Sequence, residues 1–155
     1  MSRNITYWFV FTVICIWLES FIPGVHFFAP GVIVCLQSRR IQSLFWLGLV
    51  WVLVQEGVGS LAFGGTVFFY AGLILFFFLA QSFFAVHSPV FILGLSAFSG
   101  LMHLLELLLM TRLQDIAVPL DQIITESLLT AAFFPVIWGL IMLTRLRWVP
   151  EHHVQ

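Results

Sequence analysis

The chain contains no lysine; its six positive charges are all arginine. Charge of either sign is scarce, at 8% of the 155 residues, where soluble domains carry roughly a quarter. The formal net charge of -1 offers no basic surface, so nucleic acid is excluded as a partner class. Cysteine is nearly absent too. Cys15 and Cys35 lie inside apolar segments and form neither a metal-type nor a redox-type pair, so both read as small buried hydrophobes. No nucleophile with its base, phosphate-binding glycine loop or dinucleotide turn occurs, and the chain reads as non-enzymatic and without a cofactor. His103 is the one histidine deep in an apolar run, which argues against haem held by two histidines.

What is abundant is apolar. Hydrophobic residues make up 61% of the chain, with 18 Phe and six Trp. A soluble domain of this length leaves too much surface exposed to hide that content. The reading is an all-α integral membrane protein. A span needs about 20 mostly apolar residues. Five segments qualify plainly: Ile5–Phe21, Ile41–Val58, Thr66–Val86, Pro89–Thr111 and Gln122–Leu143. A sixth, Gly24–Gln37, is short and carries Pro30; it reads either as a tilted span or as a re-entrant hairpin. The connections are small (Ile22-Pro23, Ser38–Arg40, Gly59–Gly65 and His87-Ser88), and only Arg112–Asp121 is longer. The chain is therefore expected to form a single transmembrane domain over residues 1–155. The first segment has no small-x-small cleavage signal after it and is read as a retained helix.

Charge sets the expected topology. With six spans, Arg3, Arg39, Arg40, Arg145 and Arg147 fall on one side and Arg112 alone on the other, beside Asp115 and Asp121. This positive-inside pattern puts both termini in the cytoplasm and favours six spans over a hairpin at Gly24–Gln37. Once the helices are oriented, Glu19, Glu56, His103, Glu106 and Glu126 all fall in the outer half of the bilayer, with His26 at the same level. Ionisable groups at membrane depth are costly and normally face a bundle interior. His103 and Glu106 are three apart and share a helix face. The group admits three readings: a structural or partner-contacting hydrogen-bond network, a metal or proton site, or separate carboxylates reaching the interface. Metal ligation stays open. Ser96 and Gly100 have the spacing of close helix packing. Pro135, mid-helix, removes a backbone bond and is expected to kink the last span.

Three stretches carry a family resemblance. Phe27-Phe28-Ala29-Pro30 opens the second span, which is followed by Arg39-Arg40. Gln55-Glu56-Gly57-Val58-Gly59-Ser60-Leu61-Ala62-Phe63-Gly64 places an acid before a Ser/Gly turn. Glu126-Ser127-Leu128-Leu129-Thr130-Ala131-Ala132-Phe133-Phe134-Pro135-Val136-Ile137-Trp138 runs on to Arg145 and Arg147. With the length, span number and topology, these resemble MreD, the small membrane subunit of the bacterial rod-shape (elongasome) system. Glu56 stands where Asp is commoner in that family, and the number of outer glutamates departs from it. The resemblance implies a non-enzymatic scaffold of cell-wall synthesis in the bacterial cytoplasmic (inner) membrane. Its implied partners are an MreC-like bitopic protein, RodA with its transpeptidase partner, and MreB. It also implies a fold similar to the substrate-binding subunits of energy-coupling-factor (ECF) vitamin transporters. Two other functions stay open on the residues themselves: a substrate- or metal-binding subunit of an ECF-type transporter, and a small subunit of a proton-coupled membrane complex.

Overall fold

The long apolar runs, free of charge over many turns, leave the backbone to satisfy itself, and it does so as helix. In the computed structural model, which describes residues 2–38, 41–58, 64–115 and 117–148, six helices are formed among the described residues. They are α1 (Ser2–Phe21), α2 (Ala29–Gln37), α3 (Ile41–Val58), α4 (Gly65–Ala80), α5 (Pro89–Leu113) and α6 (Leu120–Trp148). Arg39, Arg40 and the 59–63 turn lie outside the described residues. Three of the helices are long and apolar enough to cross a membrane: Asn4–Phe21, Pro89–Leu113 and Leu120–Arg145. The apolar helices Phe45–Gly57 and Gly65–Ala80 are shorter.

Side-chain bonds fix the helix directions. At one end of the bundle, the Tyr7 hydroxyl donates to the Ile141 carbonyl at 3.2 Å and pairs with Thr144 Oγ1 at 2.9 Å. Arg145 donates to Ser38 Oγ at the same end. Gln37 Nε2 donates to the Val86 carbonyl at 2.9 Å, and Trp138 Nε1 donates to Gln37 Oε1 at 3.1 Å. The start of α1, the ends of α2 and α6 and the α4–α5 connection therefore share one end. The end of α1, the starts of α2 and α4 and the end of α3 share the other, where Glu19, His26, Gln55 and Glu106 meet.

The segment 24–37, expected as one short span, is helical only over its last nine residues. At about 1.5 Å per residue, α2 covers roughly 13 Å. Pro30 is tolerated because it sits in the first turn, where its missing N–H has no intrahelical partner to lose. The stretch ahead of it is turn rather than helix, with Val25, Phe27 and Phe28 buried. Its backbone pairs locally, Phe27 N–H to the Val25 carbonyl and Ala29 N–H to the His26 carbonyl. Residues 29–35 are all buried, so α2 is the central element, packed on α6, α3 and α4. Gly31 makes this possible: a Cβ there would lie 2.7 Å from the Phe11 ring and 3.0 Å from that of Trp51. Trp51 is fully buried among Trp8, Phe11 and Phe28, with ring centroids 5.4–5.8 Å apart, and its Nε1 donates to Thr12 Oγ1 at 2.8 Å.

A second boundary also differs. The run expected to be helical to Val86 stops at Ala80, and residues 81–88 form the connection. Phe83 and Phe84 are exposed there. Hydropathy does not separate an apolar loop at an interface from a helix.

α5 and α6 form the most extensive helix pair. Gly100 lets α6 approach: a Cβ at that position would lie 2.9 Å from both the Ser127 carbonyl and the Ala131 Cβ. Pro135 lies inside α6 and has no N–H for the Ala131 carbonyl four residues earlier. Ser96 Oγ on α5 donates to that carbonyl at 2.6 Å instead. The proline of one helix is thus compensated by a serine of its neighbour.

The exterior is apolar. On α1 alone Ile5, Phe9, Val13, Trp17 and Phe21 recur every fourth residue along one exposed stripe. Large apolar residues are exposed on α3, α5 and α6 as well. Monomeric soluble proteins rarely expose contiguous apolar patches beyond a few hundred Å².

Candidate functional site: a buried histidine–glutamate centre

At the end of the bundle opposite Tyr7 and Arg145, side chains from four helices and one turn converge. α5 presents His103 and Glu106 one turn apart, both buried. The turn between α1 and α2 presents His26. That turn needs Gly24, whose φ of +84° is in the left-handed region. A Cβ on Gly24 would lie 2.6 Å from Cδ of Glu126, which folds over it from α6.

Glu106 Oε2 is the hub. It accepts from His26 Nε2 at 2.9 Å and from His103 Nδ1 at 3.4 Å. The His26 ring stacks on Phe69 at 4.2 Å and stands perpendicular to His103 at 4.7 Å. With Nε2–H directed at a carboxylate, Nδ1 of a neutral His26 is an acceptor, and Gln55 Nε2 lies 3.3 Å from it. Gln55 Nε2 also donates to Glu19 Oε1 at 2.7 Å, and Gln55 Oε1 accepts from the Tyr70 hydroxyl at 2.6 Å. The result is a continuous series, Glu19, Gln55, His26, Glu106, His103, with Tyr70 branching from Gln55. Gly65 at the start of α4 makes room for it, since a Cβ there would lie 2.9 Å from Glu106 Oε1.

Of the sequence candidates, Glu19, His26, His103 and Glu106 come together in this series. Glu56 does not join it. Its Oε1 instead accepts from the Gly64 N–H at 2.8 Å, at the N-cap of α4, where a negative charge also suits the helix dipole. Its Oε2 is buried without a partner among the described residues. Glu126 accepts from Gln122 Nε2 at 2.8 Å one turn back on its own helix, partly exposed above Gly24. Pro135 acts on α6 packing, away from this centre. Gln55 and Tyr70 are members of the series that a search among residues charged near neutral pH passes over. Each is a polar group in an otherwise apolar run, and that was the available signal.

Two properties bear on chemistry. Gln55 is an amide with no ionisable proton, so Glu19 and His26 are bridged by a structural contact rather than a proton path. His26, His103 and Glu106 each offer a ligand atom, and these atoms lie within 4.8 Å of one another. His103 Nε2 is buried with no partner among the described residues.

No family model, no curated protein and no solved structure matches the chain.

Proposed function

We propose that this chain is a non-enzymatic, multi-pass subunit of a bacterial inner-membrane complex, with six spans and both termini cytoplasmic. In this reading it scaffolds cell-wall synthesis as MreD-like proteins do, by binding an MreC-like bitopic partner. The observation that carries it is the distribution of polarity. The ionisable side chains of the Glu106 centre take polar partners inside the bundle, and the outside is apolar. Such a chain meets its surroundings through helix faces, which is how membrane scaffolds associate. The exposed stripe of α1 is the face best placed for this, because α1 is lightly attached to the rest, chiefly through Tyr7 and the Trp8–Phe11–Trp51 rings.

Support for the topology is of the same kind. Arg145 and Arg147 close α6 at the end shared with Tyr7, whereas Arg112 lies at the far end of α5. The α2 half-span, with the buried turn before it, carries the chain from one end of the bundle to the other, and irregular backbone at membrane depth is tolerated where protein surrounds it. A proton-coupled role has less support, since the amide of Gln55 interrupts the series.

The test is affinity purification of the tagged chain from its native membranes after mild crosslinking. The expected companion is a bitopic protein with an extracytoplasmic coiled coil, lost when Phe9, Val13 and Trp17 are replaced by Ala. Recovery of the chain with no such companion would refute the scaffold reading.

A further inference from the structure

A structural network of polar groups normally ends with every buried donor and acceptor paired. The centre described above does not. His103 is 3% exposed, its Nδ1 faces Glu106, and its Nε2 is buried without a partner among the described residues. A neutral ring that donates from Nδ1 carries a lone pair on Nε2. That hydrogen-bonded form leaves a bare lone pair in an apolar interior, whereas a cation held at Nδ1, 3.4 Å from Glu106 Oε2, would bind the ring on the side where the other groups converge.

The surroundings match that second option. Two imidazoles and one carboxylate converge from the α1–α2 turn and from α5, their ligand atoms within 4.8 Å of one another. Donors on a tetrahedral zinc ion, with bonds of about 2.0–2.2 Å, stand about 3.3 Å apart. Two of the pairs here, at 2.9 and 3.4 Å, are already near that separation. The widest gap closes with at most roughly 1.5 Å of side-chain motion. His103 and Glu106 at i and i+3 share a helix face, with the spacing but the reverse order of the Glu-x-x-His pairs that hold metals in helical bundles. A mixed nitrogen and oxygen donor set suits divalent transition metals, whereas magnesium and calcium prefer all-oxygen sites.

We propose that His26, His103 and Glu106 form a binding site for one divalent transition-metal ion of the zinc class. Three protein ligands leave a fourth position for water or another small ligand. The outer residues then acquire roles. Binding through His26 Nε2 places the ring proton on Nδ1. The Gln55 amide turns to accept it with Oε1, the Tyr70 hydroxyl accepts in place of donating, and Glu19 leaves its bond to Gln55. Glu106 neutralises one of the ion's two charges, which matters where a net charge is expensive to bury. The site goes beyond the scaffold reading, and neither depends on the other.

The probe is Co2+, which reports four-coordinate binding by a visible absorption band, added to the full-length protein in detergent after chelation. One equivalent is expected to bind, give the band and be displaced by Zn2+. Glu106→Gln keeps the shape and loses the charge. His103→Asn keeps an amide donor toward Glu106 and loses the imidazole. Each is expected to weaken Co2+ binding by more than the roughly 10- to 100-fold that loss of an outer partner costs. Equal affinity in folded His103→Asn protein would overturn the site. X-ray absorption of Co2+-loaded wild-type protein tests it without any variant. Two imidazoles in the first coordination sphere are expected; a sphere of oxygen alone, or no stoichiometric binding, overturns the proposal.

Discussion

Replacing Ser96 by alanine should destabilise the bundle because of a proline on a different helix. Ser96 Oγ donates to the Ala131 carbonyl at 2.6 Å, and that carbonyl lacks its usual donor four residues on because residue 135 is proline. Loss of the hydroxyl leaves a buried carbonyl unpaired, at a cost of about 1–3 kcal/mol by the general rule. Interhelical hydrogen bonds within membranes measure lower, about 0.6 kcal/mol on average and about 1.7 at most. The carbonyl here also lacks the N–H of residue 135, so the upper part of that range is expected, about 1.5 kcal/mol. That corresponds to roughly a tenfold change in the unfolding equilibrium. Pro135→Ala restores an N–H to the helix ladder, and in that background Ser96→Ala should cost about 0.5 kcal/mol or less. The coupling in the double-mutant cycle is then about 1 kcal/mol, within the range for residues in direct contact. Reversible unfolding of the purified protein by steric trapping or in mixed detergent measures all four corners. Equal costs of Ser96→Ala in the two backgrounds would refute the reasoning, because the serine would then not be standing in for the missing N–H.

Gly31→Ala should lower the unfolding midpoint by an amount equivalent to about 1–3 kcal/mol, since its Cβ would meet Phe11 at 2.7 Å and Trp51 at 3.0 Å; an unchanged midpoint would mean that α2 can move away from α1 and α3 freely. Gln55→Leu should cost about 2–4 kcal/mol in the same assay, because it strips partners from Glu19, Tyr70 and His26 together. A cost within 0.5 kcal/mol of zero, the rough limit for uninvolved positions, would show the series to be dispensable. Glu56→Gln keeps an acceptor for the Gly64 N–H but loses the charge at the α4 N-terminus, so about 0.3–1 kcal/mol is expected, with Glu56→Leu costing more. Hydrogen exchange at the start of α4 checks the order of the two.

The sequence shows where helices lie more readily than which way their faces turn. Apolar runs with little charge locate α1, α3 and α5 to within a few residues. Pro30, placed near the start of a short run, already marks α2 as unusual. The run from Thr66 misleads at its end because Phe83, Phe84 and Val86 are apolar in a connection, and a chain meeting lipid needs no polar loop there. The same fact hides the azimuth of each polar group. In a soluble helix the polar face identifies the outside; here the outside is as apolar as the core. Height along the bundle therefore follows from helix direction, and Glu19, Glu56, Glu106 and Glu126 fall toward one end. Nothing in the composition says that Glu106 points at two histidines while Glu56 turns back to the start of α4 and Glu126 covers Gly24. Gln55 and Tyr70 went unselected because neither is charged, although both complete the hydrogen bonds of charged neighbours.

The enclosure of α2 has a consequence for how the chain is made. Its residues 29–35 touch protein on every side, and the turn before it exposes backbone that neighbouring helices must shield. A segment of nine helical residues cannot rest alone in a bilayer about 30 Å thick. Long helices such as α1, α5 and α6 can insert one at a time and associate afterward, but α2 can reach its place only once its walls exist. One of those walls is α6, which leaves the ribosome after the other five described helices. Until then the second segment must wait at the interface or in the care of the insertion machinery. The centre should therefore assemble only after α6 is made, and truncation before α6 should leave it unassembled.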